Sequence, residues 1–216
     1  MKTKSTSPCP SEPQKQNQTN LTKVYTVPPG TLDPPLGFQG QLEIFVGSWE
    51  AVKKNTLLEN RIMGVLNVAY DCDDIPPKNE EGKFHYFNMY YQLAKVGLID
   101  GYGNNTSTMV AALYMADQLF TFPPHTPQPK LENNYVPFNR GNLLIHCWDG
   151  GSRSITIAAL YLYYKFGVQY KKEKFQTFED AYTYVINKRA PHARNSLKPG
   201  TCQTARDVVQ KYPSLF

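Results

Sequence analysis

Residues 146–154 read His-Cys-Trp-Asp-Gly-Gly-Ser-Arg-Ser, a cysteine and an arginine enclosing five residues rich in glycine and serine. The stretch follows the apolar run Asn142-Leu143-Leu144-Ile145 and precedes Ile155-Thr156-Ile157-Ala158-Ala159-Leu160. This order predicts a strand, a tight loop and a buried helix. A loop of this kind turns backbone N–H groups inward at a helix N-terminus and so binds an oxyanion. Trp148, Asp149, Gly150, Gly151 and Ser152 supply the backbone of that cradle. Gly150 and Gly151 suit it because glycine tolerates positive φ and close approach of a ligand. Arg153 adds a planar, permanently charged fork able to grip two phosphate oxygens. A thiol beside a helix N-terminus and a cation ionises more readily than a free one, which makes Cys147 a candidate nucleophile aimed at phosphorus.

Composition limits the setting of this chemistry. The chain has 216 residues, 41% of them hydrophobic and 13% aromatic, enough for one well-filled α/β core. The longest apolar run, residues 155–166, is too short to span a bilayer. The polar start at Met1-Lys2-Thr3-Lys4 has neither a signal-peptide core nor the glycine after Met1 that myristoylation needs. A soluble protein of the cytoplasm or nucleus is expected. Four widely spaced cysteines, without a CxxC pair, indicate neither a disulfide framework nor a zinc knuckle. The net charge of +5 is modest and scattered. No nucleic-acid or membrane partner is expected from it.

Residues 1–38, polar and Pro-rich, are expected to form a disordered or loosely attached tail. The folded domain is placed at 39–216. It opens with a strand at Leu42–Val46, a helix reaching about Glu59, and a second strand at Met63–Val68. Asp71–Lys83 reads as a loop, Tyr86–Leu93 as extended, and Val96–Ile99 as a buried strand ending at Asp100. Met109, Ala112, Leu113, Ala116, Leu119 and Phe120 recur at helical spacing. Residues 121–141, with five prolines, read as an insertion. Three helices follow, at Ser152–Phe166, Thr177–Arg189 and Thr201–Tyr212. Strands alternating with helices predict an α/β fold with a mainly parallel central sheet flanked by helices.

The motif HC-x5-R-S after a strand resembles the signature of cysteine-dependent protein tyrosine phosphatases, and the compact chain is similar to their atypical dual-specificity branch. The likeness extends over roughly residues 40–214. It implies a protein tyrosine phosphatase-like fold, a phosphocysteine intermediate, a phosphorylated protein substrate, and no metal or organic cofactor. It also implies a general acid at Asp100, at the end of the strand preceding the helix ahead of the cysteine strand. Asp100 lies farther from Cys147 than is usual in the family, and the insertion accounts for the excess. Asp74, Asp117 and Asp149 are weaker candidates. By the same resemblance His146 tunes the cysteine through hydrogen bonds, Ser154 donates to the regenerated thiolate, and Arg189, Pro191 and Asn195 form a supporting segment. Cys72 is a candidate resolving thiol for an oxidised Cys147.

The pair Trp148-Asp149 departs from the commonest loops of the family. Trp148 offers a flat surface to an aromatic or apolar part of a substrate, and Asp149 opposes a highly phosphorylated lipid headgroup. Phosphatases of lipid, nucleotide or RNA phosphates, and a phospho-binding module without turnover, are the alternatives left open.

Overall fold

The computed structural model describes residues 20–32, 40–52, 54–74, 92–121, 141–190 and 198–215. Strands β1 (Leu21–Thr26), β2 (Glu43–Gly47), β3 (Ile62–Ala69), β4 (Gln92–Leu98) and β5 (Asn142–His146) make one sheet. Its order is β1-β2-β5-β3-β4. The β2–β5, β5–β3 and β3–β4 pairs are parallel, and β1 is an antiparallel edge. This is the mainly parallel α/β architecture expected from the alternating pattern. The helices are α1 (Lys54–Glu59), α2 (Thr106–Thr121), α3 (Arg153–Leu162), α4 (Phe178–Arg189) and α5 (Pro199–Lys211). Helix α3 continues as a π-helical stretch, Tyr163–Gln169.

Burial explains the sequence of the central elements. All five residues of β5 are buried, as are all ten of α3, including the polar Arg153, Ser154 and Thr156. A strand between two parallel neighbours reads as a continuous apolar run because both its faces are covered. Helix α2 lays Met109, Ala112, Leu113, Ala116 and Phe120, each fully buried, against the main core. A smaller core on the opposite face gathers Phe45, Leu57, Ile62, Val65 and Leu144 with Ala51 of the 3-10 turn Trp49–Val52. Among the described residues no helix is long and apolar enough to cross a membrane.

Two expectations change. Residues 21–26 are not part of a loose tail: they form β1, with Val24 and Tyr25 buried. A register shift between Lys23 and Tyr25 turns these consecutive residues toward the core. The bulge removes the alternation by which such a strand is read from sequence. The strand expected to be buried at 96–99 is the edge strand β4, in which, among the described side chains, only Leu98 is fully covered and Leu93 stays exposed. Residues 122–140 of the expected insertion, and 75–91 of the expected loop and extended segment, lie outside the described residues.

The four parallel strands end at one edge of the sheet, at Gly47, Ala69, Leu98 and His146. Ligands of open parallel sheets bind outside the carboxyl ends of the strands. That edge carries the loop from Cys147 to Ser152.

Candidate active site

Cys147 leaves the end of β5 and is buried, 2% exposed. Its N–H donates to the Gly47 carbonyl at 3.4 Å, and its Sγ lies 3.3 Å from Ser154 Oγ. The thiol is thus held at the foot of α3, beside a hydroxyl able to donate to a thiolate. Gly150 takes φ +68°. A Cβ there would stand 2.6 Å from the carbonyl carbon and oxygen of Gly47, so the position requires glycine. Gly151 is not at positive φ. Of the two glycines, only Gly150 uses the conformational freedom expected of both. Ser152 caps α3 without a side-chain bond to the helix; its Oγ instead accepts from the Lys198 N–H at 3.1 Å. The leading amides of α3 therefore have no acceptor from the Ser152 side chain, at the end of the helix where its dipole is positive.

Arg153 is 3% exposed, and its guanidinium is fixed along one edge. Nη1 donates to Asp71 Oδ1 at 2.5 Å and to the Leu98 carbonyl at 3.2 Å, while Nη2 reaches Asp71 Oδ2 at 3.5 Å. Nε has no hydrogen-bond partner among the described residues, and Asp100 Oδ1 stands 3.8 Å from it. The guanidinium is thus held between two carboxylates, by hydrogen bonds to Asp71 and by the longer approach of Asp100. The guanidinium in turn holds the Asp71 carboxyl below its ordinary range, chiefly by its hydrogen bond. Asp71 has no motif to announce it. The only sequence signal was its place after Asn67-Val68-Ala69, where a parallel strand ends at the site.

Asp100 sits one residue beyond Ile99, in a loop whose Gly101 and Gly103 take φ of +115° and +98°. Asn104 ties that loop together: its Oδ1 accepts from the Ile99 N–H, and its Nδ2 donates to the carbonyls of Ile99 and Gly101. The Gly101 N–H donates to Thr201 Oγ1 at 3.1 Å, and a Cβ at Gly200 would lie 2.5 Å from the Tyr102 nitrogen. The first turn of α5 is thus packed onto the Asp100 loop. Asn104, Gly200 and Thr201 are supports that the sequence did not single out.

His146 Nε2 lies 3.0 Å from Asp74 Oδ2, and its Nδ1 is buried without a partner among the described residues. Its partner is therefore a carboxylate. The same contact takes Asp74, one of the weaker acid candidates, out of the open cradle: its side chain is 7% exposed. Asp117, another, pairs with Lys165 at 2.9 Å on the α2–α3 side. Asp149, the third, is exposed, as is Trp148. Arg189 braces the cradle from behind, donating from Nε to the Gly150 carbonyl at 3.1 Å and from Nη1 to Thr22 Oγ1 at 2.7 Å. Pro191 and Asn195 lie outside the described residues. Burial pushes the Cys72 thiol up, and its carbonyl accepts from Asn67 Nδ2 at 2.9 Å. Among the described residues no cluster of three or more His, Cys, Asp or Glu side chains is placed to hold a metal ion.

The structure therefore brings Cys147, Arg153, Ser154 and Asp100 to one sheet edge, with Trp148, Asp149, Gly150, Gly151 and Ser152 between them. The fold is that of the protein tyrosine phosphatase-like phosphatases. The phosphatase domain of Yvh1 from Chaetomium thermophilum superposes with a TM-score of 0.51 at 17% identity, over 81% of this chain and 94% of that one. A variant of human DUSP28 gives a TM-score of 0.51 at 14% identity, over 80% and 93%. No protein-family model and no curated protein matches the sequence.

Proposed function

We propose that the chain is a dual-specificity-type protein phosphatase acting through a phosphocysteine. One arrangement carries the reading: a buried cysteine at the N-terminus of α3, with the Arg153 guanidinium and the Asp100 carboxyl 3.8 Å apart at the same sheet edge. The Cys147 thiolate attacks phosphorus in line, and the bond from phosphorus to the leaving oxygen breaks. Loop amides and Arg153 hold the equatorial oxygens as charge builds on them. Asp100 gives its proton to the leaving oxygen, then accepts one from the water that hydrolyses the phosphocysteine. Inorganic phosphate departs, and Ser154 donates to the regenerated thiolate. The chemistry asks for no metal or organic cofactor, and the setting proposed is cytoplasmic or nuclear.

The charge around the cradle supports a protein substrate over a densely phosphorylated headgroup. Asp149 is exposed and has no charged partner among the described residues. A carboxylate so placed repels additional phosphates. The test is hydrolysis of an aryl phosphate and a panel of phosphopeptides, phosphoinositides and nucleotides. Cys147→Ser is expected to abolish turnover, and Asp100→Asn to lower kcat by about 10²-fold or more. Wild-type turnover no greater than that of Cys147→Ser would establish a binding module instead. A clear preference for phosphoinositides would reassign the substrate.

A further inference from the structure

Resting on the protein-phosphatase reading, we propose that Trp49 and Trp148, with the adjacent Glu50 and Asp149, form a subsite for a cationic side chain flanking the phosphorylated residue. These are the two tryptophans of the chain, and they come from distant segments. Parallel pairing of β2 with β5 sets Gly47 opposite His146, so both strands deliver an indole to the same edge. The ring centroids are 6.1 Å apart and the planes 32° from parallel. The Trp49 N–H donates to the Trp148 carbonyl at 3.1 Å, which ties the two backbones together. Trp148 directly follows the nucleophile.

The pair is not a core element. Trp49 is 47% exposed and Trp148 is 46% exposed, which leaves a broad aromatic surface beside the segment that carries Cys147. Each indole is followed by a carboxylate, Glu50 half-buried and Asp149 exposed, and neither has a partner among the described residues. An aromatic face attracts a cation, tryptophan most strongly, and a neighbouring carboxylate adds to that attraction. A guanidinium also stacks flat on an indole. An apolar occupant alone would leave the carboxylates unused, and an anionic one would be repelled. The same carboxylates oppose docking of the indoles on an anionic membrane surface. The occupant that fits the two indoles and the sign of the residues that follow them is an arginine or lysine near the phosphorylated residue.

Two phosphotyrosine peptides, identical except for Arg or Glu at the positions flanking the phosphotyrosine, provide the test, with kcat/KM measured for each. The wild type is expected to favour the Arg peptide by about 10-fold or more. Trp49→Ala should shrink that ratio to about 3-fold or less, and the double variant Glu50→Lys, Asp149→Lys should invert it. Because the readout is a ratio within one enzyme, a change in overall activity does not disturb it. Equal turnover of the two peptides by the wild type, or a ratio unchanged in both variants, overturns the subsite and leaves the phosphatase reading standing. Turnover of an aryl phosphate but of neither these peptides nor their phosphoserine and phosphothreonine counterparts removes the protein-substrate reading and the subsite with it. Trp49-dependent sedimentation with anionic phosphatidylserine vesicles would overturn the proposal in favour of a lipid surface.

Discussion

Arg153 is a buried guanidinium whose partners come from distant parts of the chain. A buried guanidinium is costly unless paired and hydrogen-bonded. Asp71 and the Leu98 carbonyl meet that need through Nη1, and Asp100 adds its charge 3.8 Å from Nε, which makes no hydrogen bond among the described residues. Asp71→Ala should therefore lower kcat/KM for an aryl phosphate by about tenfold, through loss of orientation. Arg153→Lys should lower it further, since an ammonium cannot present a fixed two-pronged edge. Steady-state kinetics beside circular dichroism of the folded variants checks both; wild-type kinetics in Asp71→Ala would show that the clamp is dispensable. The cradle itself was legible because Cys147, Gly150 and Arg153 fall within one short stretch of the chain. The partners of its charged groups were not. Asp71 reaches Arg153 across 82 residues and Asp74 reaches His146 across 72, distances over which no local spacing rule operates.

At the scale of elements, the loop between β5 and α3 is shaped by what stands behind it. The Gly47 carbonyl, at the end of β2, leaves no room for a methyl at Gly150, and Arg189 of α4 holds the Gly150 carbonyl. Gly150→Ala should cost roughly 1–3 kcal/mol in stability through forced φ and displaced neighbours. The same change should lower aryl-phosphate turnover by more than about tenfold, because a shift of the loop misplaces the amides. Urea denaturation and initial rates read the two effects separately. Strands β2, β3 and β5 and helices α2 to α5 were readable to within a few residues from apolar periodicity and turn chemistry. Strand β1 was not, since Leu21-Thr22-Lys23-Val24-Tyr25-Thr26 carries polar side chains and a bulge that cancels the two-residue period. Packing against Phe166 and Phe175 anchors Tyr25 in the core, and those partners lie far along the chain.

Across the whole molecule, helices α4 and α5 are joined at the surface by Arg206 and Glu179, at 2.7 and 3.1 Å. The Arg206 hydrogen bond holds the Glu179 carboxyl below its ordinary 4.5. A carboxyl whose folded pKa is depressed contributes stability above its unfolded pKa and loses it as pH falls through the folded value. Glu179→Gln should therefore cost about 0.2–1 kcal/mol at neutral pH, the modest worth of an exposed pair, and close to nothing near pH ~2. Chemical denaturation at the two pH values checks the sign. Asp71 has the same sign of shift, so the clamp on Arg153 also weakens as its carboxyl is protonated in acid.

The antiparallel strand β1 has a consequence for how the chain tolerates cutting. It closes one edge of the sheet, and through Thr22 it also steadies Arg189 and hence the back of the cradle. Proteolytic nicking beyond Thr26, followed by loss of the released peptide, would bare the backbone groups of β2. A naked strand edge is a template for pairing with another chain. The clipped protein would lose catalytic competence and gain a tendency to self-associate in one event, which makes the amino-terminal segment both brace and guard.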